Sequence, residues 1–271
     1  SETIGAVWMW KKLMLRGRSR NSQGAEELLY FKGGFGILIR KIADILKSNG
    51  GTITLNCKVK EAIFKDNRIL YLETNKGKIF GKEYVFTPSL PIISKIFKQT
   101  QYNAWFNKIN KIKYLGNICL VLKLRKPLSK TYWLNINDPG FPFVGVIEHT
   151  NLEDAKNYDD NHIAYLSKYL KVNSPEWKFN ELEYFEYAIK HLEKVFPNFS
   201  QDNVIAYSIW KAEFAQPITL ANYSKYLPDY KMPYKNGWIC TMAQIYPEDR
   251  GTNYAIREGK KIADLILKNI N

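Results

Sequence analysis

Histidine and cysteine are scarce, with three of each in 271 residues. Cys57, Cys119 and Cys240 stand alone, with no CxxC pair. That excludes a disulfide framework and a zinc-finger site, and no metal site is expected. Isolated thiols of this kind read as reduced and buried, which fits a cytoplasmic protein. No apolar run reaches membrane-spanning length, and there is no signal-peptide pattern. Internal repeats and low-complexity tails are missing. So is any Ser/His/Asp or Cys/His set at a catalytic spacing. What is present is aromatic: 18 Tyr, 14 Phe and 7 Trp, within 45% hydrophobic residues. Such a chain buries a core, as one large domain or two smaller ones.

The formal net charge is +14, from 40 basic and 26 acidic residues. A surplus of that size raises nucleic acid or an anionic surface as a partner. The lysines, however, are spread along the chain among Asn and Ile. The one compact basic cluster is Arg16-Gly17-Arg18-Ser19-Arg20. No nucleic-acid partner is expected.

Residues 4–15 read as an amphipathic helix carrying Trp8, Met9, Trp10, Leu13 and Met14, followed by a Ser/Asn/Gly-rich loop from Gly17 to Gly24. Leu28-Leu29-Tyr30-Phe31 reads as a strand. A turn at Lys32-Gly33-Gly34-Phe35-Gly36 and an apolar-periodic helix stopped by Asn49-Gly50-Gly51 follow. This suggests a dinucleotide-binding unit, but the fingerprint fails at Ile39, where a small residue is needed for close packing. The glycines therefore read as turn glycines.

From Thr52 the pattern is β. Strands are expected at Thr52–Leu55, Lys58–Phe64, Ile69–Thr74 and Lys78–Phe80, with a turn at Asp66-Asn67. Thr87-Pro88-Ser89-Leu90-Pro91 marks a boundary. Beyond it, helices are expected near 91–98, 102–111 and 179–195. Long strands are expected at Asn117–Leu124, Thr131–Ile136, Phe143–His149, Ile163–Leu170 and Val204–Phe214. The buried strand Trp238–Met242 leads into Gln244-Ile245-Tyr246-Pro247-Glu248-Asp249-Arg250-Gly251-Thr252-Asn253 and a closing helix. A helix start carries unpaired N–H groups and partial positive charge, suited to an electron-rich group. On these residues alone, an ordinary capped helix start is the preferred reading.

Taken together, several segments carry a resemblance. They are Lys32–Gly36 with its helix, Asn56-x-x-Val59-x-x-Ala62-Ile63, Val85-Phe86-Thr87-Pro88, Phe143–Asn151, Ala215-Gln216-Pro217-Ile218 and Met242–Ala255. In this order they resemble the FAD-dependent amine oxidase and protoporphyrinogen-oxidase-like group, relatives of UDP-galactopyranose mutase. The resemblance implies an α+β fold: the remainder of an α/β-type FAD-binding domain plus a mixed or antiparallel sheet domain with helices on one side. Residues 1–90 would belong to the FAD-binding domain, 91–233 to a substrate domain, and 234–271 would return to the first. The chain starts inside the family pattern, so it is expected to be a C-terminal portion lacking the GxGxxG unit, and FAD binding by this portion alone is then in question.

By the same resemblance, Val59 meets the adenine end of FAD, Thr87 and Pro88 lie beside the cofactor, and Gly251, Thr252 and Asn253 meet the isoalloxazine ring, with Gln244 and Arg250 nearby. Without the family pattern a plain buried strand valine is the preferred reading of Val59, and an ion pair with Glu248 or Asp249 serves equally for Arg250. Polar residues within apolar strands are candidate substrate contacts: His149, Asn151, Tyr165, Tyr169, Trp210, Lys211 and Gln216. His149 is a candidate general base or a hydrogen-bonded structural histidine; His162 and His191 read as surface. The function implied is hydride transfer from a small organic, amine-like or carbon-ring substrate to FAD. Two alternatives remain: a mutase-like, flavin-dependent sugar-nucleotide isomerase, and a non-catalytic module for anionic ligands. The sequence leaves the electron acceptor and the oligomeric state open.

Overall fold

A computed structural model of the chain describes residues 4–16, 30–98 and 100–270. The basic cluster beyond Arg16, the loop to Gly24 and Leu28-Leu29 lie outside the described residues. In chain order the elements are α1 (Ala6–Arg16), α2 (Phe35–Ser48), β1 (Val59–Lys65), β2 (Arg68–Thr74), β3 (Gly77–Ile79), β4 (Tyr84–Phe86), α3 (Leu90–Ile96), α4 (Asn103–Ile109), β5 (Tyr114–Leu124), β6 (Trp133–Asn135), β7 (Gly145–Glu148), β8 (His162–Leu170), α5 (Pro175–Lys178), α6 (Glu181–Val195), β9 (Val204–Pro217), β10 (Gly237–Ile239) and α7 (Thr252–Ile270). This α+β content divides into two units. Among the described residues no helix is long and apolar enough to cross a membrane.

The first unit comprises Ile39–Lys113 and Ile218–Asn271 together with α1. The antiparallel β1, β2 and β3 form one small sheet. Asp66 and Asn67 turn β1 into β2 with φ of 48° and 61°, as a tight hairpin turn requires. The expected strand Thr52–Leu55 is absent: the segment is irregular and meets side chains instead of a ladder. Asn75 Nδ2 donates to Asn56 O at 3.0 Å, and Lys76 Nζ donates to Leu55 O at 2.8 Å. Those bonds satisfy carbonyls that a partner strand would otherwise have engaged.

β4 and β10 pair in parallel, Tyr84 beside Gly237 and Phe86 beside Ile239. Asn236, 1% exposed, ties this pair to β2. It accepts from Ile69 N–H at 2.8 Å and donates to Ile69 O at 2.9 Å. One buried amide thus does the work of a strand partner. β10 is shorter than expected, because Met242–Gln244 winds into a 3-10 turn. The α3 and α4 helices and the residues from Ile218 onward pack with this unit.

The second unit is Tyr114–Pro217 with Tyr30–Leu38. Its antiparallel sheet has the order β6-β7-β8-β5-β9. In β5 the side chains alternate: Ile118, Leu120, Leu122 and Leu124 are buried in the core. The amphipathic α6 meets them with Tyr184, Phe185, Ala188, Ile189 and Leu192. α6 starts in a capping box in which Asn180 and Glu183 each accept the other's backbone N–H. Ahead of α2, Gly33 and Gly34 both hold φ of 83°, and Gly34 N–H donates to Phe31 O at 2.7 Å. The glycines therefore form a turn, and a side chain at either would be strained.

Candidate functional site

In the first unit the residues of interest surround the ends of two parallel strands. The C-terminal ends of paired parallel strands lie on one edge, where α/β sheets bind ligands. Thr87 and Pro88 leave β4 at that edge, both exposed. Cys240 leaves β10 beside them, its N–H donating to Phe86 O at 2.9 Å. The chain then passes Met242–Gln244 and a cis Tyr246–Pro247 peptide to reach α7. Gly251 precedes α7 and accepts Ala255 N–H at 3.1 Å; Thr252 and Asn253 open the helix, exposed, with no acidic residue in its first turn.

Both acids before α7 are partnered. Asp249 pairs with Lys12 at 2.9 Å and accepts the N–H of Arg250 at 3.0 Å. Glu248 pairs with Arg257 Nη1 at 3.3 Å. Gln244 Oε1 accepts Thr241 N–H at 2.8 Å and its Nε2 donates to Pro228 O at 3.3 Å. Its amide holds the turn in place. Val59 opens β1 opposite Thr74 and is half-buried.

In the second unit the sheet face away from the core collects the other candidates. Directly paired residues of an antiparallel sheet share a face. Tyr165 pairs with Val121 and Ile147, and Ile147 with Trp133. Cys119 lies between Ser167 and Trp210, and Asn117 between Tyr169 and Ala212. Tyr165, Tyr169 and Trp210 are therefore on one face, with Trp133, Asn117 and Ser167. Both edge-strand tryptophans are tied down along their own strands. Trp133 Nε1 donates to Asn135 Oδ1 at 2.9 Å, and Trp210 Nε1 to Ser208 Oγ at 3.1 Å. Asn117 Nδ2 donates to Ser167 Oγ at 2.9 Å. Lys211 is on the opposite face, where its Nζ donates to the carbonyls of Trp177 and Phe179.

His149 follows β7 in a 3-10 turn, His149–Asn151, and is buried. Its Nε2 lies 2.5 Å from Tyr158 Oη. The rings of Tyr30, Tyr158 and Tyr165 surround it with centroids 5.1, 5.3 and 5.9 Å away. Burial pushes His149 below its ordinary 6.5, against the opposing pull of Glu153. Burial, and then the neighbouring Tyr30, push Tyr158 up to about 12. The cluster thus holds a neutral imidazole against protonated phenols. Asn151 pins a loop, Nδ2 donating to Ser129 O and Thr131 O at 3.1 Å each. Gln216 Nε2 donates to Pro217 O at 3.1 Å.

Sequence reasoning passed over Tyr30, Tyr158 and Glu148. Glu148 is 1% exposed and accepts from Leu128 N–H at 2.7 Å and Ser129 N–H at 2.9 Å. Trp133, Asn117 and Ser167 had a usable signal in strand alternation. Tyr158 had none, being in the short turn Ala155–Tyr158. The cysteines are free and half-buried rather than fully buried. A cavity of about 560 Å³ among Arg125, Phe196, Asn198 and Asn203 includes none of the expected site residues.

The sequence pattern of the flavin containing amine oxidoreductase family matches residues 10–267. No curated protein matches the sequence. Among solved structures, a protein assigned as a protoporphyrinogen oxidase from Exiguobacterium sp. 255-15 has a TM-score of 0.67 at 10% identity, over 87% of this chain and 51% of that one. A double mutant of putrescine oxidase, redesigned in cofactor binding, gives 0.63 at 13% over 87% and 53%. Reduced UDP-galactopyranose mutase gives 0.58 at 15% over 72% and 42%. At these identities the likeness concerns the fold. The chain spans about half the length of these solved proteins.

Proposed function

The chain belongs to the flavin containing amine oxidoreductase family, and we propose that it forms part of an FAD-dependent oxidoreductase acting on a small organic substrate. The observation that carries the reading is the start of α7. A 19-residue helix begins at Thr252 behind Gly251 with no acid in its first turn. Its N–H groups and positive dipole end suit the electron-rich edge of a flavin ring. A donor set of backbone amides without a competing carboxylate fits that group. Thr87 and Pro88, beside the β10 exit, and the backbone of Val59 would serve the rest of the cofactor. Bound FAD would supply the two-electron acceptor. The chain's residues orient the ring and set the charge around it.

Residues 114–217 serve as the substrate unit in this reading. Tyr165, Tyr169 and Trp210 offer ring faces, and Asn117 and Ser167 offer hydrogen bonds. Neutral His149, bonded to Tyr158, is suited to accept a proton. The face bears aromatic, amide and hydroxyl groups, with Lys123 toward one end of β5, and Glu148 alternates to the other side. Ring faces with amide and hydroxyl partners of this kind also suit a sugar ring, which supports a mutase-like isomerase as the second reading.

The test is the flavin content of the full-length protein. A yellow protein that bleaches when an organic substrate is added without air supports oxidoreduction. Turnover of a UDP-sugar with no electron acceptor supports the second reading. A colourless protein that ignores added FAD overturns both.

A further inference from the structure

We propose that the first unit carries a separate binding site for a small organic anion with a flat or apolar body. A cavity of about 330 Å³ is lined by Lys111, Ile112, Lys113, Ile218, Leu220, Ala221, Tyr223 and Tyr226. That volume is at the lower end of the range for small-molecule sites, roughly 300 to 1,000 Å³. The lining follows the usual plan of such sites, a mostly apolar wall with few charged groups.

The walls are fixed by the backbone. Ile218 N–H donates to Lys113 O at 2.8 Å, which holds the two lining segments side by side. Gly5 N–H donates to Thr219 O at 2.9 Å, which ties down the segment between the lining residues Ile218 and Leu220. Ile112 and Tyr223 are each 3% exposed. Tyr223 Oη donates to Ala243 O at 2.9 Å, so its ring is anchored at the far end. Tyr226 N–H donates to Tyr223 O at 3.0 Å, which sets the second ring.

The two lysines decide the charge of the occupant. Lys111 Nζ lies 5.6 Å from the centroid of Tyr226, so its ammonium is held over an aromatic wall of the cavity. None of the ion pairs among the described residues engages Lys111 or Lys113. No Asp or Glu lines the cavity. Two cations above an apolar, aromatic floor attract an anion and repel a further cation. A neutral ligand fills the floor and leaves the lysines unused. Carboxylates, sulfonates and phosphate monoesters on a flat or aliphatic body share the chemistry that fits. This site uses none of the residues assigned to FAD or to the substrate face, so it stands whether or not the chain binds flavin.

The experiment follows para-trifluoromethylbenzoate by fluorine NMR against the full chain, with the neutral para-trifluoromethylbenzamide in parallel. The expected result is saturable, salt-sensitive binding of the benzoate. Binding should be about tenfold weaker in Lys111→Gln/Lys113→Gln and lost in Ala221→Trp, where the indole occupies the cavity. All three positions are exposed, so thermal unfolding should be unchanged in the variants. Binding that is not saturable overturns the site. Equal binding in the lysine variant, or equally tight benzamide, overturns the anion preference. Undiminished binding in Ala221→Trp overturns the location.

Discussion

Two helices of similar length and similar amphipathic pattern end in different surroundings. α6 buries Tyr184, Phe185, Ala188, Ile189 and Leu192 against its sheet. α2 buries none of its residues, and Ile39 and Ile45 are 62% and 52% exposed. The same contrast holds for strands. β5 is flanked on both sides within a five-stranded sheet, whereas β4 and β10 make a two-stranded parallel pair. Parallel strands are normally covered on both faces, and two strands alone are marginal. Periodicity announces that a face seeks a partner. It does not say whether the partner is among the residues at hand.

The sharpest way to break this comparison is to truncate both surfaces. Leu120→Ala in β5 should cost about 2 to 5 kcal/mol, since a fully buried leucine leaves a cavity. Ile45→Ala in α2 should cost less than about 0.5 kcal/mol. Urea unfolding of both variants checks the pair. Comparable losses would mean that the face of α2 is covered in solution. A second test stays within the second unit. Glu148→Gln swaps an acceptor oxygen for an amide donor facing the N–H groups of Leu128 and Ser129. The loss should be about 1 to 3 kcal/mol by the same measurement. A neutral outcome would show that this loop contributes little to the unit.

The alternation of β5, β8 and β9 made the second unit's sheet legible, because one buried face imposes period two. α6 was legible from its stripe and cap. The family pattern also carried the Gly251 helix start, which on its own residues was an ordinary cap. What stayed hidden was tertiary. Asn236 replaces a strand partner from 167 residues away, and no local pattern encodes that. Thr52–Leu55 has strand-forming residues but makes no ladder, and its last carbonyl takes the Lys76 ammonium while Asn75 takes the next one, so tertiary bonds override propensity. The aromatic surround of His149 joins Tyr30, Tyr158 and Tyr165 from distant segments. Lys211, grouped with Trp210 as a candidate contact, is on the other face, because strict alternation puts sequence neighbours on opposite sides.

Protonation probes the second unit more gently than truncation. The folded state pushes His149 below its ordinary 6.5. The folded protein therefore holds this proton less tightly than the unfolded chain does. The stabilising contribution is fully present above 6.5 and is lost as pH falls below it toward the depressed folded value. His149→Gln should flatten the stability profile in that window while leaving the first unit's behaviour unchanged. Unfolding free energies measured on both sides of 6.5 check this. A profile identical to wild type would mean that His149 titrates as it does in the unfolded chain.

The smallest expected effect bears on the first unit's helix end. Thr252 is exposed at the start of α7, and the first turn carries no acid. Thr252→Asp puts a carboxylate at the positive end of the dipole and should stabilise the helix by about 0.3 to 1 kcal/mol. A helix start that binds nothing would show only that gain. A start that meets an electron-rich flavin edge would gain stability and lose affinity, because the new charge repels the density the dipole attracts. The two effects have opposite signs, so thermal unfolding and flavin retention of the full-length variant separate them. Higher stability with unchanged flavin content would return α7 to the status of α6: a helix whose purpose is packing.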